Sequence, residues 1–314
     1  MPALPARLLL DMPNWLGDFV HTLPALSRLA AGNARGRTTV LLPEAHACLA
    51  HLLGVETIAR PADASFLWAR RTLGGRFDVA VSARHATRAK LLLRGAGARL
   101  ALASRGRGAG MLGLTTFTVD RSRHQRHDLD GALKRLRLAP VDDSIWRLHM
   151  PEGRVALARE TLARAAGPGA MVALLPGSRA MPAKRYPVDG FIAVAKLLAE
   201  CHVPCAVIVG PGQEGLAAAI AGGGAAVALP VEPLDDLAAM LAGCAAVVGN
   251  DSGLTHLAAV VGCPTIALYG PTDPHRVGPV GGAVVMHAPR GSLPEIQPSQ
   301  ITATVLALLA ARTA

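Results

Sequence analysis

The feature that most constrains this chain is a series of short apolar runs separated by helix-like stretches, and the series occurs twice. In the first half the runs fall at 7–12 (RLLLDM), 38–42 (TTVLL), 78–82 (DVAVS) and 115–119 (TTFTV). The second half repeats the pattern at 171–175 (MVALL), 205–209 (CAVIV), 225–229 (AAVAL), 245–249 (AAVVG) and 265–269 (TIALY). Near-continuous Val, Leu and Ala runs belong to strands buried on both faces, with the intervening helices as cover. The predicted class is therefore α/β with parallel sheets. With 314 residues and 51% hydrophobic content the chain can fill two cores, and with only 3% aromatic residues those cores must be aliphatic. Turn residues and weak periodicity at 140–153 (PVDDSIWRLHMPEG) place a linker near 140–155 and domains at 1–150 and 151–314. A closing amphipathic helix from Ile301 is assigned to the second domain, with a return toward the first left open.

Charge separates the two halves. The net +10 comes from 22 basic and 11 acidic residues in 1–150, against 10 and 11 in the remainder. A surplus confined to one half argues for an anionic partner of that half, such as phosphate, nucleic acid or a membrane surface. Arg84, Arg88, Lys90, Arg94, Arg99, Arg105 and Arg107 follow one another with no acidic residue between them. Without interleaved aromatics they make a poor single-strand nucleic-acid platform, which leaves phosphorylated lipid or sugar. Cys48, Cys201, Cys205, Cys244 and Cys263 contain no C-x-x-C pair and read as small apolar residues in a reducing compartment. The run Leu8 to Leu10 is closed by Asp11 before any cleavage-like site, and Leu254 to Tyr269 is interrupted by His256 and Pro264. The expected location is cytoplasmic, peripheral to a membrane at most.

Parallel sheets bind ligands beyond the carboxyl ends of their strands, so function is sought in the strand-to-helix loops. In the first such loop, MPNWLGDFVH at 12–21, Asp18 falls in the opening helical turn. A carboxylate there suits proton acceptance, although from this loop alone a helix-capping Asp is the favoured reading. In PGSRAMPAKRYP at 176–187, a Gly-Ser turn precedes Lys184 and Arg185, which fits anion binding as well as a solvated basic loop; it is not a P-loop. In GNDSGLTHLA at 249–258, polar residues sit between two apolar elements. There the amides of Ser252 to Leu254 suit a phosphate, Asp251 suits sugar hydroxyls, and His256 lies one turn into the helix. Glu214 after CAVIV suits ribose hydroxyls or a plain polar loop. Asp128 and Asp130 form a D-x-D that reads better as helix N-terminal acids than as metal ligands.

Together, MPNWLGDFVHTLPAL (12–26), PGSRAMPAKRYP (176–187) and NDSGLTHLAAVVGCPTIALYGPTDP (250–274) resemble the motifs of glycosyltransferase family 9, the bacterial heptosyltransferases, in order and across nearly the whole chain. The forms PNWLGD and PAKRYP lean toward the heptosyltransferase II branch, while GDFVHTLPAL also fits heptosyltransferase I. The resemblance implies a GT-B fold of two Rossmann-like domains facing across a cleft, the acceptor on the first and an ADP-heptose donor on the second. It implies inverting transfer without metal or cofactor. Asp18 matches the general base, Ser178 and Lys184 the diphosphate-binding positions, and Glu214 the ribose-binding one. Asp251, Ser252, Gly253 and His256 fall on the donor-binding turn, and Lys184 also offsets charge on the leaving group. The implied acceptor is a phosphorylated lipopolysaccharide core at the inner face of the cytoplasmic membrane, docked on Arg84, Arg88, Arg123 and His127. No nucleic-acid partner is expected, and the protein is expected to be a monomer. Two other classes remain open: another GT-B nucleotide-sugar transferase or epimerase, and a non-catalytic basic binding protein.

Overall fold

The computed structural model describes residue 4 and residues 6–178, 181–230, 232–288 and 290–312; Arg179 and Ala180 of the expected diphosphate loop lie outside these. The chain divides into two compact units, Met1–Ser144 and Ile145–Ala314, and the division falls within the 140–155 stretch. The first unit contains, in order, β1 (Arg7–Asp11), α1 (Leu16–Gly32), β2 (Arg37–Pro43), β3 (Glu56–Arg60), α2 (Phe66–Thr72), β4 (Val79–Ser82), α3 (Thr87–Ala96), β5 (Leu100–Ser104), β6 (Thr115–Phe117) and α4 (Asp130–Arg135). The second opens with α5 (Glu152–Ala166), β7 (Val172–Leu175), α6 (Val188–Glu200), β8 (Cys205–Val207), α7 (Glu214–Ala221), β9 (Val227–Ala228) and α8 (Leu234–Gly243). It continues with β10 (Ala246–Asn250), α9 (Gly253–Val260), β11 (Thr265–Tyr269), α10 (Pro274–Val277), β12 (Val284–His287) and α11 (Pro298–Ala310).

Each unit holds a six-stranded parallel sheet, ordered β3-β2-β1-β4-β5-β6 and β12-β11-β10-β7-β8-β9. Counted from its own first strand, each has the doubly wound order 3-2-1-4-5-6, so chain direction across the sheet reverses between β1 and β4 and between β7 and β10. A crevice opens at such a reversal, because the loops leaving the two central strands turn to opposite faces of the sheet. The central strands are buried on both faces, as their unbroken apolar runs require: β7 is buried throughout and β1 from its second residue on.

On one face of the first sheet, Leu9, Leu41, Ala80 and Ala103 pack beneath Ala69 and Leu73 of α2 and Leu92, Leu93 and Ala96 of α3. In the second unit, Val172, Val248, Ile266 and Leu268 meet Phe191 and Leu198 of α6 and Ile301 and Val305 of α11. The closing helix thus packs against α6, β10 and β11 of its own unit. Burying each such aliphatic side chain contributes about 1.5–3 kcal/mol, which is how a sheet with few aromatics is held. No described helix is long and apolar enough to cross a membrane.

Candidate functional site

The loop after β1 delivers Asp18 to the third position of α1. Trp15, in an extended conformation, is the residue that starts that helix, and no side chain caps it, so Asp18 is not a capping residue. Its carboxylate is half-buried and accepts a hydrogen bond from Gln125 Nε2 at 2.7 Å. Around it is a cleft of about 220 Å³ whose lining includes Asn14, His21, Arg84 and Arg126. Two guanidinium atoms of that lining, Arg84 Nη2 and Arg126 Nε, are buried with no hydrogen-bond partner among the described residues. Such donors cost about 1–3 kcal/mol each when unmet.

A buried ionic cluster supports the same loop. Asp11, the last residue of β1 and fully buried, pairs with Arg60, with Arg84 Nε at 2.8 Å and with Ser82 Oγ at 2.9 Å. Arg60 also donates to Met12 O at 3.0 Å and to the Asn14 side chain, so one guanidinium fixes two residues of the loop that leads to Asp18. Burial lowers the pKa of Arg60, and the Asp11 charge works against that shift.

The expected docking residues fall in different settings. Arg84 is mostly buried and spends Nε on Asp11, whereas Arg88 is exposed on α3 and donates to Ala62 O at 3.1 Å. Arg123 is half-exposed and pairs with Asp130 at 3.1 Å. His127 is buried between Asp130 (3.0 Å) and Asp143 (2.8 Å), where it braces the turn before α4 and offers no open surface. Lys90, from the run of unopposed basic residues, is also buried, with Nζ 3.3 Å from Arg107 O. The D-x-D carboxylates serve different partners: Asp128 lies 3.7 Å from His85, and Asp130 opens α4 and accepts from Val141 N at 2.9 Å.

In the second unit the loops after β7 and β10 meet at the sheet's reversal point. Lys184 Nζ donates to Asp251 Oδ2 at 2.7 Å, Thr272 Oγ1 donates to the same oxygen at 2.7 Å, and His256 Nε2 lies 3.3 Å from Oδ1. Burial alone would raise the Asp251 carboxyl, but His256, Lys184 and Thr272 outweigh it and hold the group well below the usual carboxylate range. Asp251 is therefore an ionised anchor that positions Lys184 and His256. The side chain expected to meet sugar hydroxyls is committed to protein partners.

Ser252 is the extended residue that starts α9; its Oγ lies 3.2 Å from Thr255 Oγ1, and Gly253 opens the helix. Ser178 is buried, and its carbonyl accepts from Arg185 Nε at 2.9 Å. Glu214 starts α7, with Oε1 accepting from Gly212 N at 3.0 Å. A Cβ on Gly177 would stand 2.3 Å from Gln213 Oε1, so the Gly-Ser turn and the start of α7 approach closely. Gln125, Thr272 and Arg60 were not singled out by sequence reasoning. Thr272 lies inside the 250–274 motif and Gln125 inside a basic run, where only a charge pattern was legible.

The sequence profile of "Glycosyltransferase family 9 (heptosyltransferase)" matches residues 67–301. The chain belongs to glycosyltransferase family 9. The matched segment includes the second-unit site and leaves out the loop that carries Asp18. Among curated relatives, lipopolysaccharide heptosyltransferase 1 of Escherichia coli K12 is 38% identical over 113 residues, 35% of each chain. Lipooligosaccharide heptosyltransferase 2 of Haemophilus influenzae is 31% identical over 140 residues, 40% of this chain and 39% of that protein. The aligned stretches thus span 35% and 39% of these two relatives.

Among solved structures, E. coli ADP-heptose lipopolysaccharide heptosyltransferase II superposes with a TM-score of 0.84 at 22% identity, covering 98% of this chain and all (100%) of that one. The E. coli heptosyltransferase WaaC with ADP gives 0.76 at 21% identity, covering 96% of this chain and 99% of that one. The family 9 chain thus has the expected α/β class and GT-B fold of two Rossmann-like parallel-sheet domains.

Proposed function

We propose that this chain transfers heptose from ADP-L-glycero-D-manno-heptose to the inner core of lipopolysaccharide, inverting the anomeric centre and using no metal. The observation that carries this reading is Asp18. A carboxylate oriented by Gln125 in an open cleft is placed to take the proton of an acceptor hydroxyl as its oxygen attacks the anomeric carbon. As that bond forms, the bond from the anomeric carbon to ADP breaks on the opposite face. Lys184 has three donors, of which Asp251 takes one, so the remaining two are available to offset charge on the leaving diphosphate. Ser178, Ser252 and Gly253 supply further donors, and Glu214 the ribose contact. The positive charge of Arg84 and Arg126 in the lining of that cleft favours an acceptor with an acidic group, as a phosphorylated lipopolysaccharide core has. The relatives' names support the sugar and the acceptor class, and the likeness to a structure containing ADP supports the base. In this reading the protein works as a monomer in the cytoplasm at the inner membrane face.

The test pairs turnover with nucleotide binding. Asp18→Asn is expected to lower kcat by about 10²–10⁴-fold on donor and acceptor, with thermal stabilisation by ADP unchanged. ADP at about 100 times its dissociation constant should add roughly 2.7 kcal/mol, and UDP, GDP and CMP much less. Stabilisation by UDP in place of ADP would reassign the donor to another nucleotide sugar, and full turnover by Asp18→Asn would remove Asp18 from the mechanism.

A further inference from the structure

Four large apolar side chains stand exposed on a single helical layer of the first unit. They are Phe66 (41% exposed) and Leu67 (61%) on α2, Leu91 (40%) on α3, and Met111 (95%) on the loop between β5 and β6. These three segments form one layer. The helices touch where Gly95 meets Phe66 O and Ala69, and a Cβ there would lie 2.5 Å from that carbonyl. The loop folds back over α3, with Gly108 near Thr87 and Leu112 packed on the same core as Leu92 and Leu93. The inner side of the layer is satisfied by Ala69, Leu73, Leu93 and Ala96 against the sheet. An ordinary outer side would be charged with both signs. Here Arg70, Arg71, Arg94, Arg105 and Arg107 are exposed, and from Ala64 to Val119 the only acidic residue is Asp78. That one is already paired with Arg7 at 3.0 Å.

We infer that the outer surface of α2, α3 and the 105–114 loop docks on an anionic lipid bilayer, with Leu67 and Met111 entering the headgroup–acyl boundary and the arginines contacting lipid phosphates. Exposed Leu, Phe and Met on segments whose exposed charged groups are almost all basic is the composition of an interfacial surface. Each arginine held near an anionic leaflet multiplies partitioning by about fivefold. Long guanidinium stems cover apolar surface while the charge stays in the headgroup layer. The inference extends the proposed function, in which the acceptor is itself a lipid, and it does not need that reading to be correct.

The test is co-sedimentation of the whole chain with phosphatidylcholine vesicles, with and without phosphatidylglycerol, containing no acceptor. Binding is expected only to the anionic vesicles. Leu67→Ser with Met111→Ser should weaken it about tenfold or more, since each buried methylene contributes to partitioning. Arg70→Glu with Arg94→Glu should weaken it by at least about as much. The control Leu157→Ser, at a site 60% exposed in the second unit, should bind as the parent does. Parent-like binding by the arginine variant overturns the surface, as does equal binding to neutral vesicles. Loss through Arg70 and Arg94 alone, with the serine variant unaffected, would overturn insertion in favour of a purely electrostatic contact. Because the vesicles carry no acceptor and no donor is added, failure here leaves the Asp18 turnover test standing, and the reverse also holds.

Discussion

Two buried side chains on this fold show opposite uses of desolvation. Asp251 is kept charged by partners that meet both its oxygens, and so it serves as a fixed point for Lys184 and His256. His46 is only 6% exposed, packs 5.3 Å from the Phe19 ring, and has Nδ1 buried without a hydrogen-bond partner among the described residues. Burial, reinforced by the Arg60 charge, lowers its pKa to about 4. The unfolded chain titrates near 6.5, so between about pH 6.5 and 4 it binds a proton that the folded chain refuses. Stability from this group is therefore complete at neutral pH and falls on acidification through that window, by up to about 3 kcal/mol. Urea unfolding of parent and His46→Leu at pH 7 and pH 4.5 checks this. The variant should lose visibly less stability between the two, and equal losses would show that His46 does not contribute to acid sensitivity.

At the scale of elements, the second-unit site depends on how β10 ends. Asn250 is fully buried; its Nδ2 donates to Pro176 O at 2.7 Å and its Oδ1 accepts from Tyr186 N at 2.9 Å. One amide thus ties both ends of the 176–187 loop to the strand that carries Asp251. Asn250→Ala leaves a buried carbonyl and a buried amide without partners, so a loss of about 2–4 kcal/mol in stability is expected. Weaker stabilisation by ADP should accompany it, measured in the same thermal titration, and a variant that keeps full ADP response would mean that the loop is held by other contacts. The sequence showed Asn250 as part of a polar cluster, and long-range pairing is what it could not show: Lys184 and Asp251 each stood out alone, yet a periodicity argument has no access to a contact between loops 67 residues apart. The same limit hid three strands. Edge strands β3 and β12 are only partly buried, so ETIAR and VVMH never form the unbroken apolar run that marks a central strand. β5, LALAS, has no β-branched residue and lies within an arginine-rich stretch. The central strands β1, β4, β7 and β10 were legible because burial on both faces makes them predominantly apolar runs.

Over the whole molecule, the charge divides with the fold. Residues 1–144 carry 21 basic and 11 acidic side chains, and residues 145–314 carry 11 of each, so the full +10 belongs to the first unit. A field of that kind acts at a distance, gathering an anionic partner before any specific contact forms, whereas a neutral unit holds its ligand through local pairs such as Lys184 with its neighbours. The two act over different ranges, and salt separates them. The Debye length shrinks from about 30 Å at 10 mM to about 8 Å at 150 mM, which removes steering and spares contacts within a few ångströms. Across that range the apparent KM for vesicle-borne acceptor should rise about tenfold or more, while the ADP dissociation constant changes by less than about threefold. Parallel changes in the two constants would mean that the first unit's charge does not recruit the acceptor. A flat KM would assign the surplus to some other partner of that unit.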